Sequence, residues 1–170
     1  SSLLSSGAEA TITAYVKSSG NVGLSGQTVT FTSSSGILLA GSSKTGDGGV
    51  VTAKLSAGAD KTIRDITVTV TSGSATGNIV IPVTGTALSI AGGSSVQVGA
   101  AASKYTVRAV DSSSNPISGA KIALASSLGN SVSPAEVTTD GTGSAVFQYT
   151  PGNAGVDVLK ATGLGTESSS

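Results

Sequence analysis

Seven lysines stand among many serines, and a serine activated by a lysine amine is the one common nucleophile–base pair this composition permits. With no His and no Cys in the chain, the imidazole- and thiol-based pairs are unavailable. A lysine base needs a desolvated amine. The lysines fall mainly on solvent-phase positions of alternating segments or in loops, which predicts solvated charge instead. Paired carboxylates need two acids converging on a cleft. Asp60 and Asp65 flank Lys61-Thr62-Ile63-Arg64, and Asp47 and Asp140 occupy equivalent turns, each before a glycine. Asp before Gly is explained by hydrogen bonding of the carboxylate to its own turn. Calcium takes six to eight oxygens, usually from several carboxylates, whereas Asp65 and Asp111 each stand alone. A Lys–Asn isopeptide needs a buried lysine. Lys17 follows inward Val16 and Lys104 precedes inward Tyr105, so alternation turns both outward. Tyr15 is out of phase with Ile12, Ala14 and Val16 and belongs on the outer face, as a cross-strand filler or a partner anchor. No catalytic residue, metal ligand or cofactor is expected, and binding residues stay unassigned.

The elements that must position these side chains follow from composition. The 170 residues are 38% hydrophobic but only 3% aromatic and 11% charged, with no Trp or Met and a formal net charge of zero. Charge usually makes up about a quarter of a globular chain, so Ser, Thr and Gly must cover this surface. Neutrality gives no electrostatic case for nucleic acid or an anionic membrane as partner. No apolar run approaches the roughly 20 residues that span a bilayer, and no disulfide is possible. Neither a leader nor an initiator Met is visible, which reads as a processed chain or an excerpt. The composition suits an extracellular β protein.

One unit is written twice. Ile12 to Gly36 lies over Tyr105 to Gly129 without a gap, and Lys44 to Leu55 lies over Thr138 to Tyr149. Apolar residues keep register. Ile12, Ala14 and Val16 match Tyr105, Val107 and Ala109; Val29 and Phe31 match Ile122 and Leu124; Val51, Ala53 and Leu55 match Ala145, Phe147 and Tyr149. Period-two alternation puts each set on one face of a sheet with the other face wet. No segment sustains a helical period. Short strands separated by Gly, Asn and Asp turns predict an all-β fold: two tandem immunoglobulin-like β-sandwiches with Greek-key connections and no disulfides. Further strands are predicted over Asp65–Val70, Asn78–Val83, Ala87–Ile90, Ser95–Gly99 and Val156–Ala161. Pro82 cannot donate to a ladder and should lie at an edge. Leu24 and Ile117 are expected to plug one end of each sandwich.

The boundary falls near Thr86, giving domains 1–86 and 87–170. Only Thr84-Gly85-Thr86 separates the flanking strands, which predicts restricted bending. Ser1 aligns with Ser94, so the first domain has no counterpart of Ala87–Gly93 and its first strand reads as incomplete. The second ends in Gly165-Thr166-Glu167-Ser168-Ser169-Ser170, with no match to Asn78–Val83, so its final strand reads as absent. Two explanations are open: an excerpt of a longer tandem array, or a subunit completed by a neighbour's strand.

These segments resemble the group 1 bacterial Ig-like domain of the invasin and intimin adhesins. That family alternates a strand, a D-x-x-G-N-P-V-x-G loop, a second strand, and a T-D-x-x-G-x-A entry to a third. The second copy matches at Asp111, Asn115, Pro116, Ile117 and Gly119, then Thr139, Asp140, Gly143 and Ala145. The first departs, with Lys17 or Ser18 near the Asp and Val22-Gly23 near the Asn-Pro. The resemblance implies a non-enzymatic spacer or stalk module of a bacterial cell-surface adhesin that projects a binding region from the envelope. The alternative is a repeating subunit of an extracellular fibre or phage appendage, completed by strand donation. The implied partners are neighbouring Ig-like domains or subunits, with host or cell-surface proteins engaged by other regions and no membrane contact by this segment.

Overall fold

The computed structural model describes residues 2–170, and these residues separate into two compact units. One runs up to Asp60 and includes Arg64–Thr84; the other comprises Lys61–Ile63 and Gly85–Ser170. The first carries β1 (Leu3–Leu4), β2 (Ala10–Tyr15), β3 (Thr30–Ser33), β4 (Ile37–Ala40), β5 (Val50–Ser56), β6 (Arg64–Ser72) and β7 (Ala75–Thr84). The second carries β8 (Ala87–Ala91), β9 (Ser103–Val110), β10 (Lys121–Ser126), β11 (Ser131–Ser133), β12 (Glu136–Thr138), β13 (Ser144–Thr150), β14 (Leu159–Gly163) and β15 (Thr166–Ser169). Among the described residues the only helical element is the 3-10 turn Asp47–Gly49.

In the first unit one sheet has the order β2-β5-β4 and the other β1-β7-β6-β3. Thr and Val disfavour helix and fit a pleated surface, and alternation decides the faces. Along β5, Val51, Ala53 and Leu55 are buried while Thr52 and Lys54 are exposed. Ile12, Leu55, Ile66, Val68, Ile81 and Val83 form the core together with Leu3. In the second unit the sheets are β11-β13-β9-β8 and β12-β10-β14-β15. Its core is built on Val107, Ala109, Ile122, Leu124 and Ala161 with a cluster of three rings. Tyr105 stacks on Phe147 at 5.7 Å between centroids and meets Tyr149 edge-on at 5.6 Å. Such pairs add about 1 kcal/mol each beyond their buried area.

Several sequence expectations are corrected. The second unit does not lack a final strand: Thr166–Ser169 pairs antiparallel with Lys160–Gly163 as β15. Strand pairing is made by backbone groups, so a Ser/Thr/Glu segment at a half-wet edge forms it without apolar alternation. Leu3 and Leu4 lack alternation, yet they form a short parallel strand on Val83 and Thr84. Leu3, only 1% exposed, completes the core. Ser95–Gly99 is not a strand. It holds a turn in which the Ala100 amide donates to the Gln97 carbonyl, while the Gly99 amide reaches Pro151. The strand expected over Val156–Ala161 begins only at Leu159, because Asp157 is drawn into side-chain bonding and Val156 is left 90% exposed. Ile117 is buried in the second core, whereas Leu24 is 37% exposed and stands outside the first. Pro82 lies one residue before β1 joins β7, so the far side of β7 is bare up to it.

Candidate functional site

The stretch shared by the two copies builds the same clasp twice. In the second unit the Thr139 hydroxyl donates to the Ile117 carbonyl at 2.6 Å and accepts the Ala120 amide at 2.9 Å. In the first, Thr45 donates to the Leu24 carbonyl at 2.6 Å and accepts the Gln27 amide at 2.9 Å. Both threonines are buried. The Gly119 and Gly26 amides then donate to the carbonyls of Thr139 and Thr45, each at 2.8 Å. One side chain thus ties the loop before a strand of one sheet to the loop before a strand of the other, satisfying a carbonyl and an amide of the loop backbone. Gly143 and Gly49 close the clasp at φ +74° and +73°. A Cβ there would lie 2.6 Å from the Ala109 carbonyl oxygen and 2.2 Å from that of Val16. Only glycine fits both the conformation and the space.

The remaining motif residues serve the same loops. The Asp111 carboxylate accepts the amides of Ser113 (2.9 Å) and Asn115 (3.0 Å) and the Asn115 side chain (3.2 Å). Burial pushes this carboxyl up, but these donors and the charge of Lys61 outweigh it and hold it below its ordinary value. Ser18 stands in its place in the first unit and accepts the Val22 amide at a longer 3.3 Å. Asp140 accepts the hydroxyl and amide of Thr142 and the Ser144 amide, and these bonds lower its pKa, the Thr142 hydroxyl most. Asp47 is not its equivalent. It starts the 3-10 turn, one position later in the aligned repeat.

A polar cluster missed by the sequence reading lies at one end of the second unit. Asp157 accepts Ser126 Oγ at 2.6 Å, Asn130 Nδ2 at 2.8 Å, the hydroxyls of Ser127 and Tyr149 at 2.9 Å, and the Leu128 amide at 3.1 Å. Burial raises the Asp157 pKa, yet this set of donors overcomes it and leaves the group far below the usual carboxylate range. Tyr149 moves the opposite way: burial, and then its bond to the Asp157 anion, push the phenol up. Asn130 links outward, its Oδ1 accepting the amides of Gly152 (2.8 Å) and Asn153 (2.7 Å). A carboxylate saturated with donors and so strongly acidic is a poor proton acceptor. Ser126 already gives its hydroxyl proton to Asp157 and accepts the Asn130 amide. The cluster is built to hold loops. Its members come from two stretches, Ser126–Asn130 and Tyr149–Asp157, whose nearest ends are 19 residues apart, with no periodicity to connect them.

The other chemically capable residues do not converge. Six of the seven lysines are exposed and Lys61 is half-buried. Lys54 and Lys160 pair with Glu9 (3.0 Å) and Glu167 (2.6 Å) at the surface. Asp60 pairs with Arg64 at 3.2 Å, and the guanidinium also donates to the Ala57 carbonyl and the Ser35 hydroxyl. Tyr15 is 61% exposed, with the Lys17 ammonium 5.8 Å from its ring centroid. Among the described residues no three His, Cys, Asp or Glu side chains group to hold a metal. Among the described residues no helix is long and apolar enough to cross a membrane.

No family model and no curated protein sequence matches the chain. Solved structures do. The adhesin InvE of Yersinia pseudotuberculosis superposes with a TM-score of 0.57 at 21% identity, over 96% of this chain and 53% of InvE. What the two share is an Ig-like, all-β fold. Weaker likenesses reach the D0-D1 region of intimin (TM-score 0.40, 20% identity, 91% of this chain and 82% of that one). They also reach invasin, described as a bacterial integrin-binding protein (0.48, 20%, 99% and 36%). The chain spans about half the length of the InvE structure it matches. These structural neighbours are invasin- and intimin-type bacterial Ig-like domains, as the Asp111–Gly119 and Thr139–Ala145 motifs anticipate.

Proposed function

We propose that this chain is a non-enzymatic spacer module of a bacterial cell-surface adhesin, consisting of two tandem Ig-like domains, 1–86 and 87–170. It acts outside the cell and presents a binding region carried elsewhere in the protein. One observation supports this best. The residues that the two copies share are consumed in holding their own loops, from Thr45 and Thr139 to Gly49 and Gly143. None of these points a free functional group at a ligand. Repetition of a loop clasp serves architecture, whereas repetition of a binding site would leave shared polar groups facing solvent. The partners of this segment are neighbouring Ig-like domains, and host-surface proteins are met by the terminal region.

The test is replacement within a full-length adhesin displayed on bacteria. Exchanging these two units for an unrelated Ig-like pair should leave adhesion unchanged, while deleting them should reduce it. Loss of adhesion on exchange, at equal surface display, would show that the units themselves bind.

A further inference from the structure

The two units differ at one sheet edge. In the second, β9 is flanked by β13 on one side and β8 on the other, with Ile90 opposite Val107 and Leu88 opposite Ala109. In the first, among the described residues, β2 pairs with β5 alone, and its other edge is bare. Direction follows from the clasp. The Val16 amide donates inward to the Gly49 carbonyl at 2.8 Å, as Ala109 does to Gly143. The amides of Thr13, Tyr15 and Lys17, alternate in the strand, therefore face the bare edge. Their counterparts Thr106, Arg108 and Val110 are the residues that β8 pairs through Ala91, Ser89 and Ala87.

An apolar cleft of about 530 Å³ opens beside this edge. Ile12, Ala14 and Val16 line one wall, and Val70, Ile79 and Ile81 the other. Ile79 has the same strand parity as Ile81 and Val83, which are 2% and 0% exposed, yet it is itself 47% exposed. An inward-facing isoleucine is left uncovered beside the bare edge. The second unit shows what covers such a position. There β8 packs across the sandwich on β14 and β15, and Leu88 and Ile90 enter the core. The hairpin registers Ser72 to Ala75 and Gly163 to Thr166 align β15 with Ala75–Asn78, residues of the cleft wall. Charges that commonly protect a bare edge stand only at its ends, Glu9 before β2 and Lys17 after it.

We infer that the bare edge of β2 is an acceptor for an extended peptide strand that runs antiparallel to it. The strand has the small–apolar–polar–apolar–small pattern of Ala87–Ala91 and is supplied by polypeptide outside these 170 residues. It pairs with Thr13, Tyr15 and Lys17 and lowers two apolar side chains into the cleft, by β-augmentation. This goes beyond the spacer reading and does not depend on it.

The experiment places Ala-Leu-Ser-Ile-Ala-Gly-Gly, the seven residues that precede Ser94 in the repeat, directly ahead of Ser1. A control prefix carries Ser at the Leu and Ile positions. Hydrogen exchange at the Thr13, Tyr15 and Lys17 amides should slow at least about tenfold with the first prefix only, and the unfolding midpoint of this unit should rise by about 5 °C. The same peptide added in trans should slow exchange of the same three amides in a saturable way. Unchanged exchange in both formats overturns the proposal, as does equal slowing by the control prefix. A concentration-dependent dimer of the unprefixed chain that already protects these amides would overturn it too, by making a second copy the occupant.

Discussion

The two units build one loop clasp identically and fill the end of the sandwich differently. In the second, Tyr149 and Asp157 meet there with Asn130, all joined by hydrogen bonds. The strand registers Ala10 to Leu55 and Ser103 to Tyr149 place Leu55 at the position of Tyr149, and Ser33 to Val68 and Ser126 to Leu159 place Ile66 at that of Asp157. Leu55 and Ile66 are each fully buried. One copy thus closes this region with two aliphatic side chains, the other with a charged network. The backbone tolerates either chemistry, because each leaves few buried polar groups unpaired. What it does not vary is Thr45 and Thr139, since the carbonyls and amides they satisfy come from the loop course itself.

The sharpest way to break the shared part is at its glycines. G143A and G49A should each destabilise their unit by about 3–4 kcal/mol in denaturant unfolding, because a Cβ meets backbone and the conformation is left-handed. A loss below about 1 kcal/mol would mean the clasp relaxes freely. D157N tests the divergent part. It should cost about 2–3 kcal/mol, since several donors lose a full-charge acceptor. N130I/Y149L/D157I, which installs the first unit's Ile37, Leu55 and Ile66, should cost less than the sum of its single changes, because donors and acceptor leave together. T139V should cost about 2 kcal/mol, leaving a buried carbonyl and amide unpaired, and T45V less, because its two partners are only part-buried. The smallest effect belongs to the surface pairs: K54A and K160A should stay within about 0.5 kcal/mol.

Acid adds a further contrast. Asp157 is held below its unfolded pKa, so its contribution is complete above the ordinary carboxylate value of about 4. It is lost as pH falls from there toward the folded value. Asp111 acts in the same direction. Stability of the second unit should therefore fall between about pH 4 and pH 2, with D157N flattening that slope. An unchanged slope in D157N would remove Asp157 as its source.

Much of the fold was legible because alternation and repetition are local signals. Tyr105 over Ile12 and Phe147 over Ala53 mark strand, face and the alignment of the two copies within the sequence alone. Thr139 and Gly143 were visible as motif positions, though their bonding was not. What was hidden depended on pairing across distance. Thr166–Ser169 carries no apolar pattern, and Ser95–Gly99 carries one that the turn at Gln97 overrides. Asp157 sat inside an apparent strand, and nothing in its spacing announced Asn130 or Ser126. The bare edge of β2 was not legible in the spacing of its residues; its pairing with β5 and the exposure of Ile79 locate it.

Asn130 also bears on how this protein ages. Its carboxamide is bonded at both ends, to Asp157 and Tyr149 through nitrogen and to the Gly152 and Asn153 amides through oxygen. Hydrolysis of that amide to an acid would set a second anion where a donor now stands, 2.8 Å from the Asp157 oxygen, and like charges at that range strongly disfavour sharing a site. The bonds that hold the loops thus also immobilise the one side-chain amide whose conversion to an acid would loosen them.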